Sequence, residues 1–600
     1  MASYKTSGYK ISDIYQGGYS SLAPPSEDAS GGYTAAGKIG MAIDFRTANI
    51  LQEVSSKLSA GTKNIEVSPI QPEVFDSIPK QQLKEVHRLS KLTGIDVSIH
   101  GPLIEASGVG QQGFSETERE LAERKVTEAL LRSHELNPNG NIPVTFHSTV
   151  GLPGSQFLPP SERKKAGTNY RKMIAANREN GRLIPLEPEI EYYPGTEKIE
   201  HERLPEERIK SHNITEWDNQ LNQLFFNQER AKDILGKNQV QIQHLLKNIN
   251  ERRQQGVSYK QIFETMTPEA KQAHSNLVTA ESYLQDLRQQ ANAFFSKAYK
   301  YGTQQQKDEL VKLNEQFKKS LDEARGNPFL HAEAMSQLIQ SLKQEEYIPN
   351  MYIPVEEFAA EKSSQTFGHA AFEAYKKFKD KAPLLVIENP PAGGGLSTSE
   401  GIKAIVEKSR EKFVEAAKKE GMSESEAKKQ AEKLIGVTWD VGHINMLRGQ
   451  GYSEEEVIKE TENVAPYVKH VHLSDNFGME HTELPMGMGN VPFKEMLANL
   501  GQKGFEAKKI IEAGNWWQHF KTSPFQETLE ATGSPIYSMK MAPYWAQAAG
   551  LYQGYFSGFG QMLPQVNYET FGAGFSRLPA ELGGQSPGAQ GGRMSGRPME

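Results

Sequence analysis

Apolar, strand-like runs along this chain end one after another in a residue that can bind a metal. They close on Ser98-Ile99-His100, Thr145-Phe146-His147, Val386-Ile387-Glu388, Thr438-Trp439-Asp440, His470-Val471-His472 and Ile510-Ile511-Glu512. A single ending of this kind carries little information, but the repetition predicts one polar site assembled from many strand ends. A parallel (β/α)8 barrel has that property, because the C-terminal ends of its strands converge on one face where chemistry collects.

At 600 residues the chain is too long for one core, so two or more folding units are expected. Strand-like runs near 38–45, 64–68, 95–100 and 142–147 alternate with helical patterns such as 46–60 and 115–135. The alternation resumes at 383–388, 435–440, 468–473 and 508–512, with helices expected over 399–433, 453–464 and 492–502. This predicts an α/β fold, a (β/α)8 TIM barrel in two parts, 38–150 and 381–525.

Between the fourth and fifth strands 235 residues intervene (148–382), where a βα connection needs far fewer. Residues 151–380 therefore read as a large, mostly helical insertion. Leu221, Leu224, Ala231, Leu235, Ile242, Leu245 and Ile249 form a coiled-coil-like stripe, most economically an intramolecular seam. Thr267-Pro268-Glu269 signals the start of a long helix ending near Gly302, and further helices are expected over 303–325 and 328–345. Residues 186–192 read as a short extended stretch. Such an insertion can serve as a lid, as an arm for a protein partner or as a self-association element. Residues 1–37 and the Gly-, Pro- and aromatic-rich 526–600 read as tails, with 536–560 expected to pack on the barrel and 577–600 to be disordered.

Composition narrows the chemistry. With no cysteine there is no thiolate ligand, so a metal must be held by His, Asp, Glu or water. A net charge of -7 does not advertise nucleic-acid binding. No apolar run approaches the roughly 20 residues that cross a bilayer, and Met1-Ala2-Ser3-Tyr4-Lys5 lacks an apolar signal core, so a cytoplasmic location is expected. Glu388, Asp440, His472 and Glu512 are candidates to share one ion. His100 and His147 are candidates for a second, bridged by Glu388, and His443, His481 and Glu483 for a third. Glu66 reads as a barrel cap in preference to a substrate contact, and His470 as structural. Trp516 is the candidate for stacking on a sugar or base; packing of the last helix is the other use for it and for Trp517.

The segments Ser-Ile-His100-Gly-Pro-Leu, Ile387-Glu388-Asn389, Asp440-Val-Gly-His443, His472-Leu-Ser-Asp475 and Leu484-Pro-Met-Gly487-Met-Gly489-Asn-Val-Pro carry a family likeness. Over roughly 38–150 and 380–520 the chain resembles the xylose isomerase-like TIM-barrel superfamily. Within it, the chain is similar to the endonuclease IV (AP endonuclease family 2) branch and to sugar isomerase/epimerase relatives. The resemblance implies that Glu388, Asp440, His472 and Glu512 hold the ligand positions shared by both branches. It also implies endonuclease-type positions for His100, His147 and His443. That branch carries an Asp-x-His pair after the seventh strand; here the pair reads His481-Thr-Glu483, with acid and imidazole exchanged. Leu103 stands where that branch has a DNA-inserting tyrosine.

Two chemistries are implied. With two or three zinc ions, water is activated for in-line attack on a phosphodiester, such as abasic-site DNA, with Glu388 as bridge. With a single Mn2+, Mg2+ or Co2+, a sugar or sugar phosphate is gripped while Glu388 and Glu512 move a proton between adjacent carbons. The first is the leading expectation. A non-catalytic scaffold comes third, because a scaffold has no need of the four shared ligand positions.

Overall fold

The computed structural model describes residues 38–532, except 45, 60–61, 111–112, 193, 195–199, 502–506, 515, 517–519 and 521–522, together with 593–594 and 597–598. The expectations for 1–37, for Trp517, for 536–560 and for nearly all of 577–600 lie outside the described residues. Within 577–600, Arg593–Met594 pairs antiparallel with Arg597–Pro598.

Eight strands close into a barrel: β1 Ile39–Ala42, β2 Asn64–Val67, β3 Asp96–His100, β4 Pro143–His147, β5 Leu384–Glu388, β6 Ile435–Asp440, β7 Val468–Leu473 and β8 Lys508–Ile511. Every neighbouring pair is parallel, and β8 returns to β1. Strands buried on both faces read as continuous apolar runs, which is why they were legible as such. Register decides what meets at the strand ends. Glu388 lies opposite His147, and Asp440 lies opposite His472.

Helices follow the strands, among them Ile50–Ser59, Lys80–Thr93, Glu116–Ser133 and Glu454–Val464. The single helix expected over 399–433 is two, Ser399–Lys419 and Glu424–Leu434. Gly421 turns the chain at φ +86°, a conformation a side chain would strain, and Ser423 then caps the second helix by accepting from the Glu426 N–H. The chain also continues past the expected barrel end at 525 in a helix, Pro524–Ala531, whose Phe525 and Leu529 pack with Ile39, Met41 and Ile511.

Lys509 is buried on β8, on the face opposite Ile510. Its Nζ donates to the Ala507 carbonyl at 3.1 Å. Burial, helped by the charge of Lys38, pulls its pKa down to about 7 from 10.5. Between these values the unfolded chain binds the extra proton, so this lysine makes stability rise with pH, by on the order of a few kcal/mol over the whole window. Lys509→Met is expected to be the more stable protein at pH 7 and to flatten that rise. Unfolding curves at pH 7 and pH 9.5 check it; an unchanged slope would count against a buried charge here.

The second unit comprises Gly110–Ser115 and Ser155–Phe358. The helix Val355–Phe378 lies in the stretch assigned to the insertion, but from Ala359 onward it belongs to the barrel unit. The second unit contains a small antiparallel sheet of Gln156–Phe157, Tyr170–Asn177, Leu183–Leu186 and Tyr352–Pro354, and a separate hairpin of Glu189–Tyr192 with Glu200–Arg203. The extended stretch expected at 186–192 is thus divided between two sheets. The long helices are Pro205–Lys237, Gln239–Gln254, Pro268–Tyr301, Gln304–Glu323 and Pro328–Leu342. Thr267 caps the third by accepting from the Ala270 N–H. The apolar stripe at 221–249 breaks at Asn238, but all seven of its residues are buried in one core with Leu277, Ala280, Leu284 and Leu287. Among the described residues no helix is long and apolar enough to cross a membrane.

Candidate metal centre

Among the described residues, three groups of acidic and imidazole side chains sit at the strand ends, each with ligand atoms within 4.8 Å of one another: His100, Glu388, His472 and Glu512; Glu388, Asp440 and His443; and Glu66, His470 and His472. Glu388 belongs to two of them. Its Oε2 lies 3.1 Å from His100 Nε2 and 3.4 Å from His147 Nε2, while its Oε1 lies 2.7 Å from His472 Nδ1 and 4.0 Å from His443 Nδ1. Glu512 Oε1 approaches the same His472 nitrogen at 3.1 Å.

The surrounding hydrogen bonds aim these groups. His100 Nδ1–H donates to the Gly101 carbonyl at 2.9 Å, and His443 Nδ1–H donates to the Asn389 carbonyl at 2.7 Å. Each bond commits Nδ1 and turns Nε2 toward the site, to Glu388 Oε2 in His100 and to His481 Nε2 in His443. Asp440 Oδ1 caps the short helix Val441–Asn445, accepting from the Gly442 and His443 N–H groups, which leaves Oδ2 on the side of His443 Nε2 at 4.0 Å. Asn389 and Asp440 exchange two further bonds that lock the end of β5 to the end of β6.

The loop after β7 is organised by Asp475. Its carboxylate accepts from the backbone N–H groups of Asn476, Gly487, Gly489 and Val491. A side chain at Gly489 would collide with that carboxylate at 2.4 Å, which explains the glycine. The loop so held presents His481 Nε2 at 2.7 Å from His443 Nε2, with Glu483 3.6 Å from His481. Glu483 has a φ of +48°, a strained value for a side-chain-bearing residue and one that clusters at functional sites.

Charge follows from burial and neighbours. Burial alone would raise the Glu388 pKa, but His472, His147 and His100 hold it well below the ordinary value. Burial, with the charge of Glu388 added, raises Glu512 to about 7 against the pull of His472. Burial disfavours charge on His100, yet Glu388 outweighs it and carries the ring to about 9. His443 and His472 are raised in the same way by the surrounding carboxylates, in spite of burial. At His147 burial prevails and the pKa falls to about 3.

These donors fit a divalent ion. They are imidazole and carboxylate atoms only, they converge on a shared carboxylate, and the two best-defined rings have their other nitrogen already committed. Metal must then displace protons. His100, and Glu512 in part, hold protons at pH 7, so zinc binding is expected to release them and to tighten as pH rises toward 9. Calorimetric zinc titrations in two buffers of different ionisation enthalpy measure the number released; a heat independent of the buffer would contradict it.

Residues 387–530 match the family model described as xylose isomerase-like TIM barrel. This stretch runs from the end of β5 through β8, so the match covers the second part of the barrel. A further likeness is to the uncharacterized protein MJ1311 of Methanocaldococcus jannaschii, 32% identical over 83 residues, 14% of this chain and 27% of that one. The matched stretch thus spans about a quarter of the curated relative. Among solved structures, a D-tagatose 3-epimerase-like protein overlays with a TM-score of 0.34 at 12% identity, covering 84% of this chain and 99% of its own. The D-psicose 3-epimerase of Clostridium cellulolyticum H10, solved with D-tagatose, gives 0.35 at 9% identity, covering 82% and 96%. Overlays this loose transfer no substrate.

In the barrel, His100, His147, His443, His481, Glu483 and Glu512 line one cavity of about 480 Å³, with Ile43, Lys57, Ile70 and Leu103 on its walls. Glu388, Asp440 and His472 are fully buried and are not among its lining residues. Trp516 is not among the residues lining this cavity; it stacks on Phe520 at 4.1 Å and packs against the core at the end of β1. Glu66 and His470, read from the sequence as a barrel cap and as structural, lie in one ligand group with His472. Both are fully buried, and Glu66 Oε2 lies 2.9 Å from His470 Nε2. The signal was present in the alternation: Glu66 falls at a strand end, and His470 shares the inward face of β7 with His472.

Proposed function

We propose that the barrel is a metal-dependent phosphodiester hydrolase of the endonuclease IV type, acting on abasic-site DNA or a related phosphodiester. The observation that carries this reading is the position of Glu388, whose Oε2 faces His100 and His147 while its Oε1 faces His472 and His443. A carboxylate so placed suits two ions held side by side, the arrangement used for in-line displacement at phosphorus. Bound zinc ions would supply an activated water at neutral pH and neutralise charge building on the phosphoryl oxygens.

The chain's own residues do the rest. Glu388 would span two ions, with His100 and His147 on one side and Asp440, His472 and Glu512 on the other. His443, His481 and Glu483 form the outer edge of the centre, where a third ion would sit. Leu103, Ile43 and Ile70 give the cavity an apolar wall suited to a sugar face or a displaced base. The zinc-loaded full chain is expected to hydrolyse bis(p-nitrophenyl) phosphate and to incise an abasic-site duplex. Failure on both, with epimerisation of a ketose, would overturn the reading.

That second outcome has its own support. Glu512, with a pKa of about 7, is poised to give and take a proton at neutral pH. Facing Glu388 across His472, it would suit a sugar isomerase or epimerase using a single Mn2+, Mg2+ or Co2+. The helical unit would then serve either enzyme as a lid, a partner arm or a self-association element.

A further inference from the structure

His472 differs from the other well-anchored histidines of the centre. In His100 and His443 the nitrogen turned away from the ligand group donates to a backbone carbonyl. In His472 it is Nδ1 that faces Glu388 and Glu512, and Nε2 points to Glu66, whose Oε1 lies 3.2 Å away. These two atoms are buried, and neither makes a hydrogen bond, to the other or to any third group. The rest of the Glu66 carboxylate is pinned, because Oε2 accepts from Ser98 Oγ at 3.0 Å and lies 2.9 Å from His470 Nε2.

We propose that Glu66 is a positioning residue for the metal centre: its Oε1 accepts a hydrogen bond from the Nε2–H of His472, which keeps that proton on Nε2, so that Nδ1 stays unprotonated and aimed between Glu388 and Glu512 as a metal ligand. The contact is oblique while Nδ1 is drawn to Glu388 Oε1 at 2.7 Å. A modest turn of the ring would align it. Ser98 and His470 hold the carboxylate from β3 and β7, so it cannot swing away, and a carboxylate behind the ring makes the imidazole a stronger ligand. This rests on the metal reading of the Glu388 groups and not on the substrate.

The test uses the full chain, zinc and two measurements. Histidine 15N spectra of the zinc-loaded protein, assigned against His472→Asn, are expected to show His472 protonated at Nε2. Zinc titrations of the metal-free protein are expected to show affinity about 10–100-fold weaker in Glu66→Gln, with the ion count and the melting of the metal-free protein kept. Ser98→Ala should lose less, and it carries the titration if Glu66→Gln does not fold. Unchanged affinity in the variants, or a proton on Nδ1, would overturn the proposal. So would the loss of one ion at unchanged affinity for the rest, since Glu66, His470 and His472 would then be holding an ion themselves. Zinc binding without phosphodiester cleavage would sink the hydrolase reading and leave this one standing.

Discussion

Glu388→Gln is expected to empty the barrel of bound metal and to lower phosphodiester hydrolysis by on the order of 10³-fold or more. The side chain keeps its shape but loses its charge and one of its two ligand oxygens. Glu388 is the residue the two ion positions would share, its Oε2 facing His100 and His147 and its Oε1 facing His472 and His443. Replacing it therefore damages both groups at once. The new amide NH2 would also face either His100 Nε2 or His472 Nδ1, now contacted at 3.1 and 2.7 Å, where a ligand-bearing carboxylate is required. Glu512→Gln touches one group only and should retain part of the metal. Elemental analysis of the two variants beside rates on bis(p-nitrophenyl) phosphate checks this; full metal content in Glu388→Gln would contradict it.

Trp217→Ala is expected to destabilise the helical unit by about 3–5 kcal/mol. Trp217 is fully buried, packs edge-on against Phe294 at 5.5 Å, and donates from Nε1 to the Leu342 carbonyl at 2.7 Å. Alanine would leave a cavity where the helices Pro205–Lys237, Pro268–Tyr301 and Pro328–Leu342 share one core, and it would strand a buried carbonyl. Trp217→Phe keeps most of the volume and should cost roughly 1–2 kcal/mol, chiefly for the lost hydrogen bond. Denaturant unfolding followed by helical signal separates the two variants. Equal midpoints for Trp217→Ala and the parent would mean that this core is far looser than its burial implies.

The barrel was legible because strands such as Leu384–Glu388 and Ile435–Asp440 are mostly apolar, are buried on both faces and stop at a polar residue. The same rule brought His100, His147, Glu388, Asp440, His472 and Glu512 to one face. It failed where polarity lies inside the barrel. Glu66 and His470 look like an ordinary polar alternation until the closed sheet brings residues 404 positions apart into contact. Helix boundaries failed where one residue decides them, as at Gly421 between the helices on either side. The strand Tyr170–Asn177 was not anticipated, since its polar Arg171 and Lys172 break the apolar run. The placement of His481 and Glu483 depends on four backbone N–H groups gathered by Asp475, a loop geometry that no local pattern announces.

The account stands or falls on how many ions this one carboxylate organises. Metal content of the purified full chain, measured by elemental analysis after zinc loading and removal of excess, is predicted to be two or three zinc per chain, with Glu388→Gln losing them together. A single Mn2+, Mg2+ or Co2+ held in preference to zinc, or a metal content indifferent to Glu388, would contradict it.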